Sequence, residues 1–148
     1  MRSVESLELS PIGRVANDES DLSRVDWSAV QSTIVLSEGL SEALLGLDDY
    51  SHLFVVGWLD QMPDELRERR QAYPSGDDRY PLQGAFALRG ARPNPIAVTV
   101  CRLLAVEGDS LLVQGLDLVD GTPILDVKPY IAHYDSEPDA TLPGWAQG

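Results

Sequence analysis

The residues best suited to chemistry lie in one run, Asp117-Leu-Val-Asp120-Gly-Thr-Pro-Ile-Leu-Asp126-Val-Lys128-Pro-Tyr130. It sets three carboxylates beside the only lysine in a chain that otherwise draws its positive charge from arginine. A lysine ammonium is a compact point charge on a flexible stem, suited to orienting an acid that takes up a proton. The plainer alternative is a hairpin turn, Asp120-Gly121-Thr122-Pro123, followed by an ion pair between Asp126 and Lys128. Residues two apart on a strand share a face, so such a pair needs no active site to explain it.

A second segment, Arg92-Pro93-Asn94-Pro95-Ile96, carries two prolines that fix φ and remove two backbone donors. Each also drives the residue before it toward extended geometry. The resulting loop holds Asn94 with little freedom, which suits either a binding site or a rigid turn before a strand. Other chemistries are poorly represented. His52 and His133 lie far apart with no metal-ligand spacing, so no metal is expected. Neither a GxSxG nucleophile motif nor a GxGxxG nucleotide loop occurs. Cys101 is the only cysteine, which excludes an internal disulfide. Its apolar neighbours Val100, Leu103 and Leu104 mark it as a buried, inert thiol.

These residues need elements to hold them. Leu9 to Val15 reads as a first strand and Gln31 to Leu36 as a second. Gly39 to Leu47 carries leucines at helical spacing, with Ser37 or Ser41 as a cap. His52 to Leu59 is nearly continuous apolar sequence, as in a strand buried on both faces. Asp64 to Gln71 reads as a helix with acids first and arginines last. Tyr73 to Tyr80 is a loop, and Gly84 to Leu88 a short strand. Ile96 to Val106 is a long strand with Ile96, Val98, Val100, Leu104 and Val106 on one face. Glu107-Gly108-Asp109 turns it into a return strand, Ser110 to Leu116. Trp27, Trp58 and Trp145 are expected to pack the core or close its rim. The expected fold is mainly β, a compact antiparallel β-barrel with a few short helices. The domain is expected to span residues 9–134, with 135–148 as a polar tail.

The 148 residues suffice for one hydrophobic core. The net charge of −13 argues against a broad basic footprint for nucleic acid. Local arginine clusters exist all the same, at Arg67, Arg69 and Arg70 and at Arg89 and Arg92. With no leader-like segment and no apolar run of about 18 residues, a cytoplasmic protein with no membrane partner is expected.

Three motifs in order take the reading beyond composition: Gly84-Ala-Phe86-Ala-Leu-Arg89, then Arg92-Pro-Asn94-Pro-Ile96, then the Asp117–Tyr130 run. Pro11-Ile12-Gly13 and Ala43-Leu-Leu-Gly46-Leu-Asp-Asp-Tyr-Ser51-His52-Leu53 precede them. Together, over roughly residues 9 to 131, they resemble the TrmO family, also called TsaA-like or YaeB-like. The resemblance implies a β-barrel outside the Rossmann class that forms a homodimer and binds S-adenosylmethionine. It also implies N6-methylation of N6-threonylcarbamoyladenosine 37 in tRNA. Carried over by motif, Arg89, Val98 and Gly115-Leu116-Asp117 fall at the cofactor site. Asp60-Gln61 stands where the family usually has a histidine and a polar residue, so Asp60 is a departure. Leu88 replaces the usual threonine before Arg89. The family's proline-arginine-glutamine element has only a loose counterpart in Leu22-Ser23-Arg24. Better-known bacterial members continue into a second small domain, and only the core domain is matched here.

On this resemblance, Asn94 and Thr122 of the Asp120–Pro123 turn shape the acceptor pocket. Asp120 or Asp126 accepts the proton, and Lys128 and Tyr130 orient it. A buried Asp126–Lys128 pair bracing the barrel is the structural alternative. Three functions remain open: a tRNA methyltransferase, a methyltransferase for a small molecule, and a non-catalytic S-adenosylmethionine-binding regulatory module. Arg67, Arg69, Arg70 and Arg79 offer a phosphate-facing strip for the first.

Overall fold

Alternation of side chains makes the barrel. In the computed structural model, which describes residues 5–21, 23 and 26–147, β1 (Gly13–Ala16) turns Val15 inward. The next strand, β2 (Gln31–Leu36), buries Ser32, Ile34 and Leu36 and exposes Gln31 and Val35. Strand β3 (His52–Trp58) buries Leu53, Val55 and Gly57. After an excursion come β6 (Ile96–Glu107), β7 (Ser110–Gln114) and β8 (Pro123–Pro129). All pairings are antiparallel, in the closed order β1-β2-β7-β6-β3-β8. Closure comes from Gly13 opposite Ile124 and Arg14 opposite Pro123. A closed barrel leaves no free strand edge to aggregate. Its interior is filled by Ile34, Leu53, Val55, Leu111, Val113, Leu116 and Ile124, all fully buried. Each large aliphatic there contributes about 1.5–3 kcal/mol.

The excursion forms a second compact unit, residues 61–95 with 131–148, and the barrel unit comprises 1–60 and 96–130. It holds α1 (Asp64–Glu68), a two-stranded sheet of β4 (Gln71–Ala72) and β5 (Gln83–Gly84), and α2 (Ala132–Asp135). Trp145, in a 3-10 turn at Gly144–Ala146, packs its ring against Tyr80 at 6.1 Å between centroids. No described helix is long and apolar enough to cross a membrane.

Several sequence expectations are corrected. The first strand starts at Gly13, because Leu9 is 62% exposed and the chain pairs only past Pro11. The helix expected at 39–47 is two 3-10 turns, Ser41–Leu44 and Leu47–Asp49, separated by Gly46 at φ 87°. Neither Ser37 nor Ser41 caps it; the Ser37 hydroxyl donates to the Pro11 carbonyl. Strand β3 is fully buried on its inner face only, with Phe54, Val56 and Trp58 half-covered outside. α1 stops at Glu68, where Arg69 turns extended and Arg70 Nη1 donates to the Arg67 and Glu68 carbonyls at 3.3 and 2.8 Å. The strand expected at 84–88 stops at Gly84 and becomes a 3-10 turn, Ala85–Ala87.

The long strand β6 has nearly the expected extent, and its more apolar side lies outside. Cys101 and Leu103 point inward, while Ile96, Val98 and Val100 are 36, 57 and 43% exposed. Leu104, 36% exposed, lies outside by the same alternation. A register shift between Leu103 and Ala105 turns Val106 inward against the core, so the five residues do not share one face. The two-residue turn Gly108-Asp109 has φ +62° at its first position only, the backbone form that matches strand twist and favours glycine there. The Asp120–Pro123 turn is not a hairpin. β8 lies between β1 and β3, so residues 115–122 cross the barrel end from β7 to reach it.

Candidate active site

The crossing segment 115–122 is built on local hydrogen bonds that leave part of its backbone open. Gly115 takes φ +86°, a conformation costly for any residue with a Cβ, and its N–H donates to the Val30 carbonyl at 3.0 Å. Leu116 is fully buried in the core, so only its backbone can meet a ligand. Among the described residues, no backbone hydrogen bond engages the amide of Leu116 or Asp117. Amides without a partner in the chain are left open to water or to a ligand. Asp117 is exposed, and its Oδ1 accepts from Thr99 Oγ1 at 2.5 Å. That bond joins the crossing segment to β6 next to Val98.

Beyond Leu118 the segment is pinned by Asn17. Its Nδ2 donates to Ser32 Oγ at 2.9 Å and to the Leu118 carbonyl at 3.0 Å, and its Oδ1 accepts from Glu19 N–H at 2.9 Å. The Asn17 N–H in turn donates to Asp120 Oδ1 at 3.1 Å. One Asp120 oxygen is therefore committed to the backbone. The turn continues with Gly121 at φ +84° and Thr122, which is 2% exposed. The Thr122 hydroxyl donates to the Val119 carbonyl at 2.7 Å, so it braces the turn from inside. Sequence reasoning passed over Asn17, although an asparagine just after a short strand is a common anchor for a turn.

Asp126 and Lys128 lie on the outer face of β8, paired at 3.2 Å. Their side chains are 48 and 68% exposed, which overturns the expectation of a buried brace. Asp126 stands opposite Val56, which stands opposite Val98, so the three form one row across β8, β3 and β6. The next row is Lys128, Phe54 and Val100. Tyr130 follows, its ring 5.5 Å from Phe54 and 6.4 Å from His52. The barrel thus brings Asp126, Lys128, Tyr130 and Val98 onto one face. Asp120 sits at the opposite end of β8 from Tyr130, roughly 20 Å away along a strand rising about 3.3 Å per residue.

Asp60 is exposed just past β3, with its N–H donating to the Trp58 carbonyl at 2.9 Å. Gln61, Arg89 and Asn94 belong to the second unit and are all exposed. The double-proline loop is held by its own Arg92 and by Arg67, which sequence reasoning did not assign to it. Arg67 Nε donates to the Pro93 carbonyl at 2.8 Å, and Arg92 binds the carbonyls of Ala85 and Leu88. Arg79 is clamped on Asp77 through Nε and Nη2, at 2.5 Å for the shortest contact. That pairing lowers the Asp77 carboxyl and raises the Arg79 guanidinium from their ordinary values. Of the strip proposed for phosphates, Arg67 and Arg70 serve backbone carbonyls and Arg79 serves Asp77. Leu22 and Arg24 lie outside the described residues. No group of three or more His, Cys, Asp or Glu side chains that could hold a metal occurs among the described residues.

The comparisons with known proteins agree with this architecture. A family model described as the tRNA-methyltransferase O N-terminal domain matches residues 23–136. A Rhizobium radiobacter protein named "Probable S-adenosyl-L-methionine-binding protein VirR" is 40% identical over 98 residues, covering 66% of this chain and 53% of that one. A mouse tRNA (adenine(37)-N6)-methyltransferase is 37% identical over 95 residues, covering 64% of this chain and 22% of that one. The crystal structure of TrmO from Pseudomonas aeruginosa superposes with a TM-score of 0.78 at 30% identity, over 97% of this chain and 64% of that one. The chain spans about half or less of the length of these two curated relatives. With a family model covering most of its length and a solved barrel of the same fold, the chain belongs to the tRNA-methyltransferase O N-terminal domain family.

Proposed function

We propose that this chain is an S-adenosylmethionine-dependent methyltransferase that acts on N6 of adenine 37 in tRNA. The observation that carries the reading is the open backbone at Leu116 and Asp117, beside a carboxylate held by Thr99, in a chain of this family. These groups fit the cofactor. Free amides and carbonyls suit a polar adenosine or amino-acid group, and the exposed Asp117 suits a cationic ligand. When bound, the cofactor supplies a methyl group on a sulfonium sulfur, already activated for displacement.

The chain's own task is to bind, align and exclude water, with the nucleophile held about 3 Å from the methyl carbon. Gly115, Leu116 and Asp117 hold the donor through backbone groups. Asp60, Gln61, Arg89 and Val98 are assigned to the donor by the family motif. Asn94, fixed between two prolines, and Thr122 are each assigned to the acceptor pocket by the family motif. Asp126 accepts the N6 proton, since one oxygen of Asp120 is already committed to Asn17. Lys128 orients Asp126, and Tyr130 closes the end of that face. The domain taken to carry this activity is 9–134, with 135–148 outside it, and a tRNA acceptor sets its place of action in the cytoplasm.

The same reading includes a homodimer. Ile96, Val98 and Val100 form an exposed apolar strip on β6, flanked by Phe54, Val56 and Trp58 on β3. Such a face suits a second copy, because one patch meets its own equivalent about a two-fold axis.

Calorimetry with S-adenosylmethionine, followed by transfer of label to tRNA carrying threonylcarbamoyladenosine, tests the proposal. Saturable heat and label at adenine 37 are expected. Heat without transfer to any tRNA would leave a binding module, and absence of heat at millimolar cofactor would sink the reading.

A further inference from the structure

Among the described residues, only Ser32 and Thr122 are buried polar side chains, each 2% exposed. A hydroxyl withdrawn from water costs free energy unless it is hydrogen-bonded, so its place in a core asks for a reason. Ser32 sits on the core face of β2 with Ile34 and Leu36, where alternation calls for another apolar residue. Its oxygen accepts from Asn17 Nδ2 at 2.9 Å, and the same amide donates to the Leu118 carbonyl at 3.0 Å. Thr122 donates to the Val119 carbonyl. Both buried hydroxyls therefore serve the one segment that crosses the barrel end.

Backbone partners dictate which way the Asn17 amide points. The Leu118 carbonyl only accepts and the Glu19 N–H only donates, so Nδ2 faces the first and Oδ1 the second. Leu118 is held by packing as well. A Cβ added to Gly57 on β3 would lie 2.8 Å from Leu118 Cδ1, so the missing side chain there is what lets the leucine in. Carbonyl and side chain of Leu118 are thus both fixed, one residue after the open amide of Asp117. On the other side, Thr99 holds the Asp117 carboxylate. Backbone that meets a ligand binds it more tightly when its geometry is set beforehand. We propose that Asn17 is a positioning residue for the methyl donor, acting through the Leu118 carbonyl to preset the backbone of Leu116 and Asp117. The proposal rests on the methyltransferase reading, but the ordering of the segment has a test of its own.

Asn17→Asp is the sharpest variant, since it keeps the shape and the acceptor for Glu19 and removes both donors. Cofactor affinity by calorimetry should fall roughly tenfold. KM for S-adenosylmethionine should rise with it, while KM for tRNA stays at the parental value. As pH falls through the carboxyl range, the introduced acid becomes neutral and regains a donor, so its affinity should recover toward that of the parent. Asn17→Ala adds no charge and should show a similar loss without that recovery. Magnetic relaxation of the Leu116, Asp117 and Leu118 amides, measured without cofactor, should show lower order in both variants than in the parent. Parental cofactor affinity in either folded variant, even with folding stability reduced, would overturn the role of Asn17. A deficit in Asn17→Asp that does not respond to pH would do the same. Absence of cofactor heat in the parent, with order lost in the variants, condemns the methyltransferase reading alone.

Discussion

The Asp126–Lys128 pair separates a chemical role from a structural one at the level of single side chains. An ion pair this exposed contributes at most about 1 kcal/mol. Lys128→Met should therefore shift the denaturation midpoint very little and leave cofactor affinity unchanged. Methyl transfer should fall by about tenfold or more if Lys128 orients the proton acceptor. A variant with full transfer rates would return the lysine to a purely surface role. Cys101 is the converse case, a residue whose chemistry is suppressed. Burial first, and then the negative charge of Asp117, push its thiol up to about 12 from an ordinary 9.0. The sign follows from linkage. Between those values the unfolded chain has released the proton and the folded chain has kept it, so stability falls as pH rises through that window. The slope from this group is at most about 1.4 kcal/mol per pH unit. Cys101→Ala should flatten the alkaline decline in chemical denaturation, and an unchanged slope would contradict the assignment. The lone cysteine was legible as inert from its neighbours alone. The role of Thr122 was not, because nothing in the sequence says that its hydroxyl is used up inside the turn.

At the scale of elements, the motif Pro11-Ile12-Gly13 acquires a physical reason. A Cβ on Gly13 would lie 2.4 Å from the Val35 carbonyl oxygen, which belongs to backbone and cannot swing aside. Gly13→Ala should cost about 1–3 kcal/mol by forcing β1 from β2, measured by urea denaturation. A midpoint equal to the parent would show that the strands part at no cost. Each of strands β2, β3 and β7 could be read from the sequence by its own signal. β2 has β-forming residues, β3 a nearly continuous apolar run, and β7 the Gly108 turn that sends the chain back. The segment at 39–47 misled because leucines at helical spacing can be buried by two tight turns as well as by a helix. The facing of strand β6 was not legible, since its more apolar side lies outside. Periodicity reports which residues share a face, not which face meets the core. The crossing of 115–122 over the barrel end was hidden for a different reason. Asp120-Gly121-Thr122-Pro123 has turn chemistry whichever strands it joins, and only the closed order of the barrel decides that.

At the scale of the whole molecule, the exposed apolar face of β6 becomes the argument for assembly. Exposed apolar residues scattered singly on a surface need no explanation, but a contiguous strip does. Ile96, Val98 and Val100 alternate along one strand, and Val56 and Phe54 sit beside the last two on β3. Flat sheet faces of this kind are covered well by another flat face, and a chain with net charge −13 resists casual association elsewhere on its surface. Val100 closes the strip opposite Phe54 and belongs to no proposed ligand site, so Val100→Glu introduces like charges at the two-fold contact without replacing a cofactor group. Its expected effect is conversion of a dimer to a monomer in size-exclusion chromatography with light scattering. Leu45, which is 94% exposed on a different part of the barrel unit, supplies the control. Leu45→Glu adds the same charge and should leave the mass unchanged. A parent chain that runs as a monomer at micromolar concentration, or a Val100→Glu variant that stays dimeric, would remove this face from the interface.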